Sequence, residues 1–126
     1  VAGRFNLKIS DVFAALDGGE NFDLIVSNPP YVPHKDLETL QPEVRDFEPI
    51  VALTDSGGSS DGLSIIERII EGAPKFLKPG GFLLMEIGFS QASKAQAMFA
   101  PDLWPQVEIR PDLQGIPRMV RALRNV

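Results

Sequence analysis

Four residues that follow an apolar run carry the most informative chemistry in this chain. The run is Phe-Asp-Leu-Ile-Val-Ser at positions 22–27, and Asn28-Pro29-Pro30-Tyr31 comes directly after it. A strand that ends there would place these groups at the C-terminal edge of a sheet, where open α/β sheets bind ligands. The Asn28 side-chain oxygen and the Pro29 carbonyl could each accept one N–H of a planar R-NH2 group. That would turn the nitrogen lone pair toward an incoming electrophile.

The prolines and the tyrosine suit the same chemistry. Neither proline can donate an N–H and both have a fixed φ, so the carbonyl of Pro29 is preset. The ring of Tyr31 can lie on the flat face of an amide or a base. The tetrapeptide also suits a plain turn, because asparagine begins turns and proline ends strands. On these four residues alone, both interpretations stay open.

Composition limits the kinds of site that the chain can hold. It has 126 residues, which indicates one domain, and it is 44% hydrophobic with a net charge of −5. The acidic balance argues weakly against binding nucleic acid through its phosphates. Because there is no cysteine and only one histidine, His34, we expect no metal site. We expect no signal peptide and no membrane span, since no apolar run reaches about 18 residues.

The elements that must position these groups form an α/β pattern. Apolar runs predict strands at residues 5–10, 22–27, 82–87, 107–110 and 119–123, the second of them buried on both faces. Helical spacing predicts helices at 63–77 and 90–99, the first capped by Asp61. Residues 78–81 are expected to form a turn, and 32–61 a long irregular segment. This order predicts a sheet with an antiparallel edge.

Charged side chains at three further places could belong to the site. Two of these places have two interpretations, and the third holds a carboxylate that needs a polar partner. Asp11 ends the first predicted strand, where its carboxylate could accept from an adenine amino group or cap a turn; spacing alone favours the cap. Glu86 lies within an apolar strand, so its carboxylate must find a polar partner. Arg45, Asp46 and Glu48 form either a solvated face or a cluster that holds the long segment over the site.

Several separated motifs resemble one family. The sequence FDLIVSNPPYVP at 22–33 resembles the amino-group methyltransferases that use S-adenosylmethionine. The sequences LQPEVRDFEPIVAL (40–53), DGL (61–63), LKPGGFLLMEIGFSQA (77–92) and PDLQGIPRMVRALR (111–124) are similar to the HemK/PrmC family. That family methylates the side-chain amide nitrogen (N5) of glutamine in the Gly-Gly-Gln motif of peptide chain release factors. The resemblance covers nearly the whole chain.

The resemblance implies roles for particular residues. By position, Asn28, Pro29, Pro30 and Tyr31 would bind the substrate glutamine amide, and Asn28 would act as the catalytic residue close to the methyl donor. Asp11 and Val12, with Asn28, would bind the cofactor S-adenosyl-L-methionine, the first two at its adenine. The resemblance implies no metal, a release factor as protein partner, no direct contact with nucleic acid or membrane, and a cytoplasmic location.

The resemblance also implies a Rossmann-like class I S-adenosylmethionine-dependent methyltransferase fold with an antiparallel final strand. The glycine-rich loop, the first two strands and the N-terminal helical domain of the family have no counterpart in this sequence. Residues 1–126, which begin with valine, would then be the C-terminal part of the catalytic domain. We expect this chain alone to be inactive. The strand at 22–27 would keep an unpaired edge, which favours self-association.

Three alternatives remain beside this interpretation. An adenine N6-methyltransferase would use the same groups on an extruded base, although the acidic balance and the segment after Ile87 argue against it. A glutamine methyltransferase could instead act on ribosomal protein L3. The chain could also be a non-catalytic fragment that does not bind cofactor.

Overall fold

A mixed four-stranded sheet organises the chain. The computed structural model describes residues 2–54 and 61–126. Its strands are β1 (Phe22–Ser27), β2 (Leu77–Glu86), β3 (Gln106–Pro111) and β4 (Pro117–Leu123), in the spatial order β1-β2-β4-β3. Strand β1 is parallel to β2, whereas β4 is antiparallel to both β2 and β3. The α/β sheet with an antiparallel final strand, expected from the sequence, is confirmed.

The α-helices in the described ranges are short, and the longest of them, Ser64–Gly72, has nine residues. They are α1 (Pro42–Phe47), α2 (Ile50–Leu53), α3 (Ser64–Gly72) and α4 (Ala92–Ala97). Helix α3 is shorter than predicted because Pro74 lies in a 3-10 turn, Ala73–Lys75, that ends it. Leu63, not Asp61, occupies the N-cap position. Within the described ranges, no helix is long and apolar enough to cross a membrane.

The core lies on one face of the sheet. Side chains alternate between the two faces of a strand, and the register pairs Leu83 with Ala122 and Met85 with Val120. These four side chains are at most 1% exposed. They share one buried cluster with the apolar face of α3, which supplies Ile66, Ile69 and Ile70. On the opposite face, Leu24, Val26 and Met119 are exposed in the part of the chain that the structure describes.

Two expectations for the first half of the chain are wrong. Residues 5–10 form no strand, and the alternating Phe5, Leu7 and Ile9 are between 71% and 100% exposed. Alternation alone does not make a strand, because an unpaired one lacks ladder hydrogen bonds and a face to bury. The long segment after the motif is not irregular throughout. It contains a 3-10 helix, His34–Thr39, together with α1 and α2; its residues 55–60 lie outside the described ranges.

Strand β1 forms one edge of the sheet. Within the described ranges it pairs only with β2. The expectation that it is buried on both faces is wrong, since Leu24 is 48% and Val26 is 69% exposed. Both side chains point to the face opposite the core, because their register partners Phe82 and Leu84 lie on that face. The unpaired edge expected for this strand is therefore present among the described residues.

An irregularity in β2 sets the register of the site. Phe22 pairs with Leu77, but Leu24 pairs with Phe82, so residues 78–81, expected to form a turn, bulge out within the strand. Gly80 has a φ of +76°, which a residue without Cβ adopts at little cost. After the bulge the ladder is regular and ends with Ser27 opposite Met85. The C-terminal ends of β1 and β2 therefore lie at the same level.

Candidate functional site

The site is built where β1 and β2 end side by side. Since Ser27 pairs with Met85, the next residues, Asn28 and Glu86, both lie at this edge of the sheet. The hydroxyl of Tyr31 donates a hydrogen bond of 2.6 Å to Oε1 of Glu86. The expectation that Glu86 needs a polar partner is confirmed. This hydrogen bond fixes the ring of the motif against the neighbouring strand.

The environment of Tyr31 keeps its hydroxyl protonated. Burial raises its pKa, and the hydrogen bond and negative charge of Glu86 raise it further, to about 12. Arg118 acts in the opposite direction, but its effect is smaller. At neutral pH the phenol is therefore a stable donor to Glu86, and it is not a candidate general base.

Two cavities meet at Asn28. The first, here called the α3-side cavity, has a volume of about 320 Å³ and extends from the motif to α3. The second, the β4-side cavity, has a volume of about 650 Å³ and extends from the motif to β4. Asn28 is exposed and lines both. Its carboxamide therefore lies where a group held in one cavity could reach a group held in the other.

The α3-side cavity is mostly apolar. Its walls include Val12, Phe13, Ile25, Pro29, Pro30, Ile65 and Ile69. Val12 has a φ of +53°, which is unusual for a β-branched residue and is held by a local turn. Ser10 holds this turn, because its hydroxyl accepts from Ala15 N at 2.9 Å and donates to Val12 O at 3.0 Å. Non-glycine residues in such conformations cluster at functional sites.

Asp11 lies beside this cavity with its carboxylate paired. Arg68 of α3 donates to Asp11 Oδ2 at 2.8 Å, and this hydrogen bond holds the pKa of the carboxyl below its ordinary value. The sequence favoured a turn capped by the side chain of Asp11. This prediction is wrong, because the side chain that accepts a backbone N–H in this turn is that of Ser10. Asp11 lines an adjacent cavity of about 340 Å³ that shares Val12 and other residues with the α3-side cavity. Of the predicted cofactor residues, Val12 and Asn28 line the α3-side cavity, and Asp11 lines the adjacent one with Val12.

The β4-side cavity combines polar and apolar walls. Tyr31, Glu86 and Arg118 line it, together with Leu84 and Met119. Arg118 lies 3.8 Å from the Asp112 carboxylate. A carboxamide, a carboxylate and a guanidinium around one cavity provide donors and acceptors for a small polar group such as an amide. Pro29 does not line this cavity, whereas Asn28 and Tyr31 do.

Some contributing residues were missed in the sequence. The role of Glu86 could be predicted from the sequence, since a carboxylate in an apolar strand needs a polar partner. Nothing in the sequence indicated that Arg68 or Arg118 contributes to the site.

The cluster of Arg45, Asp46 and Glu48 lines none of the three cavities described above. Arg45 pairs with the adjacent Asp46 at 2.7 Å, and both side chains are nearly half exposed. The pair therefore belongs to a solvated face.

The lone histidine, His34, lines none of the three cavities described above. His34 is exposed and begins the 3-10 helix after the motif. Among the residues that the structure describes, no group of three histidine, aspartate or glutamate side chains could hold a metal ion.

Comparisons with known proteins agree on one family. The chain is 48% identical over 117 residues to the release factor glutamine methyltransferase of Geobacter sulfurreducens, covering 93% of this chain and 40% of that protein. It is 42% identical over 117 residues to the protein of that name from Koribacter versatilis, with the same coverage. For the Cereibacter sphaeroides protein, the identity is 43% over 122 residues, covering 97% of this chain and 42% of the relative. No protein-family model matches the chain.

A solved structure agrees with these relatives. The release factor-specific protein-(glutamine-N5) methyltransferase of Alicyclobacillus acidocaldarius aligns with a TM-score of 0.54 at 26% identity, covering 86% of this chain and 52% of that one. The family resemblance stated from the motifs is therefore confirmed. The chain spans about two fifths of the length of the curated relatives it matches.

Proposed function

From its kinship with release factor glutamine methyltransferases, we propose that this chain is the C-terminal part of a catalytic domain with that activity. The whole enzyme would transfer a methyl group from S-adenosyl-L-methionine to N5 of the glutamine in the Gly-Gly-Gln motif of a peptide chain release factor. The observation that carries the proposal is the position of Asn28, at the end of β1 between two cavities. The names of the relatives supply the class of acceptor.

The motif would prepare the acceptor nitrogen. The glutamine amide would lie where the two cavities meet, because Tyr31 lines the β4-side cavity and Pro29 the α3-side cavity. There the Asn28 side-chain oxygen and the Pro29 carbonyl would each accept one hydrogen of the amide, while the ring of Tyr31 would support its flat face. In the transfer, the nitrogen lone pair forms the new N–C bond as the S–C bond of the sulfonium breaks, and one amide proton leaves to water. Alignment and the two acceptors would be the main contribution of these residues.

The α3-side cavity fits the adenine end of the cofactor. Its apolar walls suit a flat ring, and the adjacent Asp11 carboxylate, although paired with Arg68, is exposed and can accept a further hydrogen bond. When bound, S-adenosylmethionine supplies an electrophilic methyl group. Asn28 lines the same cavity, so it could contact the donor as well as the acceptor. We expect cofactor affinity of this chain alone to be weak, because the glycine-rich loop of the family has no counterpart here.

The truncated Rossmann-like architecture is part of the proposal. Two observations support a sheet that continues past β1 in the whole enzyme. The edge of β1 is unpaired among the described residues, and Leu24 and Val26 leave apolar surface on the face opposite the core.

We propose a cytoplasmic enzyme with a release factor as its protein partner, without direct contact to nucleic acid or membrane. This chain by itself would be prone to self-association.

The test is a methylation assay on an extended protein. Residues 1–126 are joined to the part of the Geobacter sulfurreducens relative that precedes its matched segment; this chimera is called the extended enzyme below. It is incubated with S-adenosylmethionine and a release factor, and the Gly-Gly-Gln peptide is analysed by mass spectrometry. We expect one added methyl group on the glutamine and none when that glutamine is replaced by alanine.

Parallel substrates separate the alternatives. Methylation of an adenine-containing single-stranded oligonucleotide, or of a ribosomal protein, in preference to the release factor would contradict the proposed acceptor. If the extended enzyme binds the cofactor but methylates none of these substrates, the enzyme interpretation is wrong.

A further inference from the structure

A buried glutamine behind the motif joins three segments of the fold. Gln91 is 5% exposed and precedes α4. Its Oε1 accepts from the backbone N–H of Gly88, just after β2, at 2.7 Å. Its Nε2 donates to the carbonyl of Tyr31 at 2.9 Å and to the carbonyl of Asp61, just before α3, at 2.8 Å. One side chain thus ties the motif to the ends of two core elements.

Two glycines at this junction, Gly62 and Gly88, leave no room for a side chain. A Cβ on Gly62 would lie 2.3 Å from the carbonyl oxygen of Tyr31, and Gly62 also has a φ of +69°. A Cβ on Gly88 would lie 2.7 Å from Oε1 of Gln91 and 3.0 Å from the ring of Tyr31. The backbone and ring of Tyr31 are therefore packed against two glycines as well as hydrogen-bonded. Such close packing restricts the movement of Tyr31 at these two positions.

We propose that Gln91 is a positioning residue for the methyl transfer. Gln91 lines neither cavity that meets at Asn28. It does line a third cavity, of about 400 Å³, together with Tyr31 and Arg118, so it would act on the transfer through the segment that it holds at the motif. The two prolines before Tyr31 have fixed φ angles, so an anchor at the Tyr31 carbonyl also restricts the carbonyl of Pro29. A displacement of about 1 Å in an aligned site can cost about 100-fold in rate. The proposal rests on the proposed function.

The first test separates positioning from folding. In the extended enzyme, Gln91→Leu keeps the approximate size of the side chain but removes all three hydrogen bonds. Gln96→Leu changes an exposed glutamine on α4 and is the matched control. We expect Gln91→Leu to lower kcat about 10- to 100-fold with little change in the KM for S-adenosylmethionine. An unchanged kcat per folded molecule, with only a lower melting temperature, would show that Gln91 merely stabilises the fold.

A second variant, Gln91→Glu, tests the hydrogen bonds through the dependence of kcat on pH. In Gln91→Glu, an ionised carboxylate still accepts from Gly88 but faces the carbonyl oxygens of Tyr31 and Asp61 without a proton to donate. Protonation restores one donor. We therefore expect the ratio of the kcat of this variant to that of the unsubstituted enzyme to rise as the pH falls. A ratio that does not change with pH would contradict donation by Gln91 as the source of the effect.

Hydrogen exchange tests the anchor independently of activity. The amide of Gly88 reports on the bond to Gln91, and the amide of Val32, in the same peptide group as the Tyr31 carbonyl, donates to Leu53 O at 2.9 Å. Both amides should be protected in the extended enzyme and in Gln96→Leu, and both should exchange faster in Gln91→Leu. Unchanged protection in Gln91→Leu overturns the proposal whatever the activity. If the unsubstituted extended enzyme methylates no release factor, the proposed function fails, and the exchange measurement still decides whether Gln91 anchors the motif.

Discussion

The hydroxyl of Tyr31 and the carboxylate of Glu86, 55 residues apart in the chain, form a hydrogen bond of 2.6 Å at the edge of the sheet. The bond joins the loop after β1 to the last residue of β2. The ring of Tyr31 is therefore held by its polar end as well as by packing. From the sequence, only the ring was expected to matter.

We expect Tyr31→Ala to be more damaging than Tyr31→Phe. The alanine variant loses both ring and hydroxyl and should lower kcat about 100-fold or more. The phenylalanine variant keeps the ring but leaves the part-buried Glu86 without its donor, so we expect a loss of up to about tenfold. Steady-state kinetics of the extended enzyme measure both. Equal inactivity of the two variants would show that the hydroxyl itself is required and that stacking is a minor effect.

The raised pKa of Tyr31 can be measured directly in residues 1–126. Because this chain has one tyrosine, a titration followed by tyrosinate absorbance reports on Tyr31 alone. We expect a pKa of about 12 instead of the ordinary 10.0. Glu86→Gln should lower the pKa, since it removes the negative charge, whereas Glu67→Gln on the exposed face of α3 should not. A pKa near the ordinary value in the unsubstituted chain would contradict the hydrogen bond.

The same shift predicts a loss of stability at alkaline pH. The folded chain binds the phenol proton more tightly than the unfolded chain, so the contribution is fully present below pH 10.0 and is lost as the pH rises toward about 12. Denaturant unfolding of Tyr31→Phe across this window should show a smaller fall in the free energy of unfolding than that of the unsubstituted chain. Parallel curves for the two proteins would exclude Tyr31 as the source.

Asn28→Ala in the extended enzyme should abolish methylation with little effect on folding. Its exposed carboxamide lies between the two cavities, and loss of one such positioned group typically costs about 100-fold or more in kcat. Asn21→Ala is the matched control, because Asn21 is an exposed asparagine just before β1, at the opposite end of that strand. Turnover of Asn28→Ala within a few-fold of that of the control would remove Asn28 from the proposed chemistry.

Asp11→Asn should weaken binding of S-adenosylmethionine more than binding of the release factor. The substitution removes the charge that pairs with Arg68 and replaces one carboxylate oxygen by an amide donor, which an adenine amino group cannot use. We expect the KM for the cofactor to rise and that for the release factor to stay unchanged. A selective rise in the KM for the release factor would place Asp11 on the acceptor side of the site.

Residues 1–126 alone should be inactive and should self-associate through β1. The unpaired edge and the exposed Leu24 and Val26 are the reason. We expect Val26→Lys to reduce self-association in light scattering, because a charge on this surface opposes edge pairing. Leu113→Lys replaces another exposed leucine, in the loop between β3 and β4, and should change nothing. A monomeric chain would contradict the expected self-association, and methylation of a release factor by residues 1–126 alone would contradict the expected inactivity.

The sequence by itself determined the elements whose residues bury an apolar face. The strands near 22–27, 82–87, 107–110 and 119–123 and the start of α3 follow from side-chain periodicity, and their order predicted the antiparallel edge. The motif Asn28-Pro29-Pro30-Tyr31 was recognisable because fixed proline geometry and a terminal carboxamide are local properties. Periodicity failed at residues 5–10, where alternation exists without a strand to pair with.

Only the tertiary structure decided which residues meet at the site. The partner of Glu86, the pairing of Asp11 with Arg68 and the three hydrogen bonds of Gln91 all join residues far apart in sequence. The bulge in β2 brings the ends of β1 and β2 level, and a shift of one residue would turn Glu86 to the other face. Such contacts depend on register and packing between elements, because a hydrogen bond requires its atoms to lie within about 3 Å of each other.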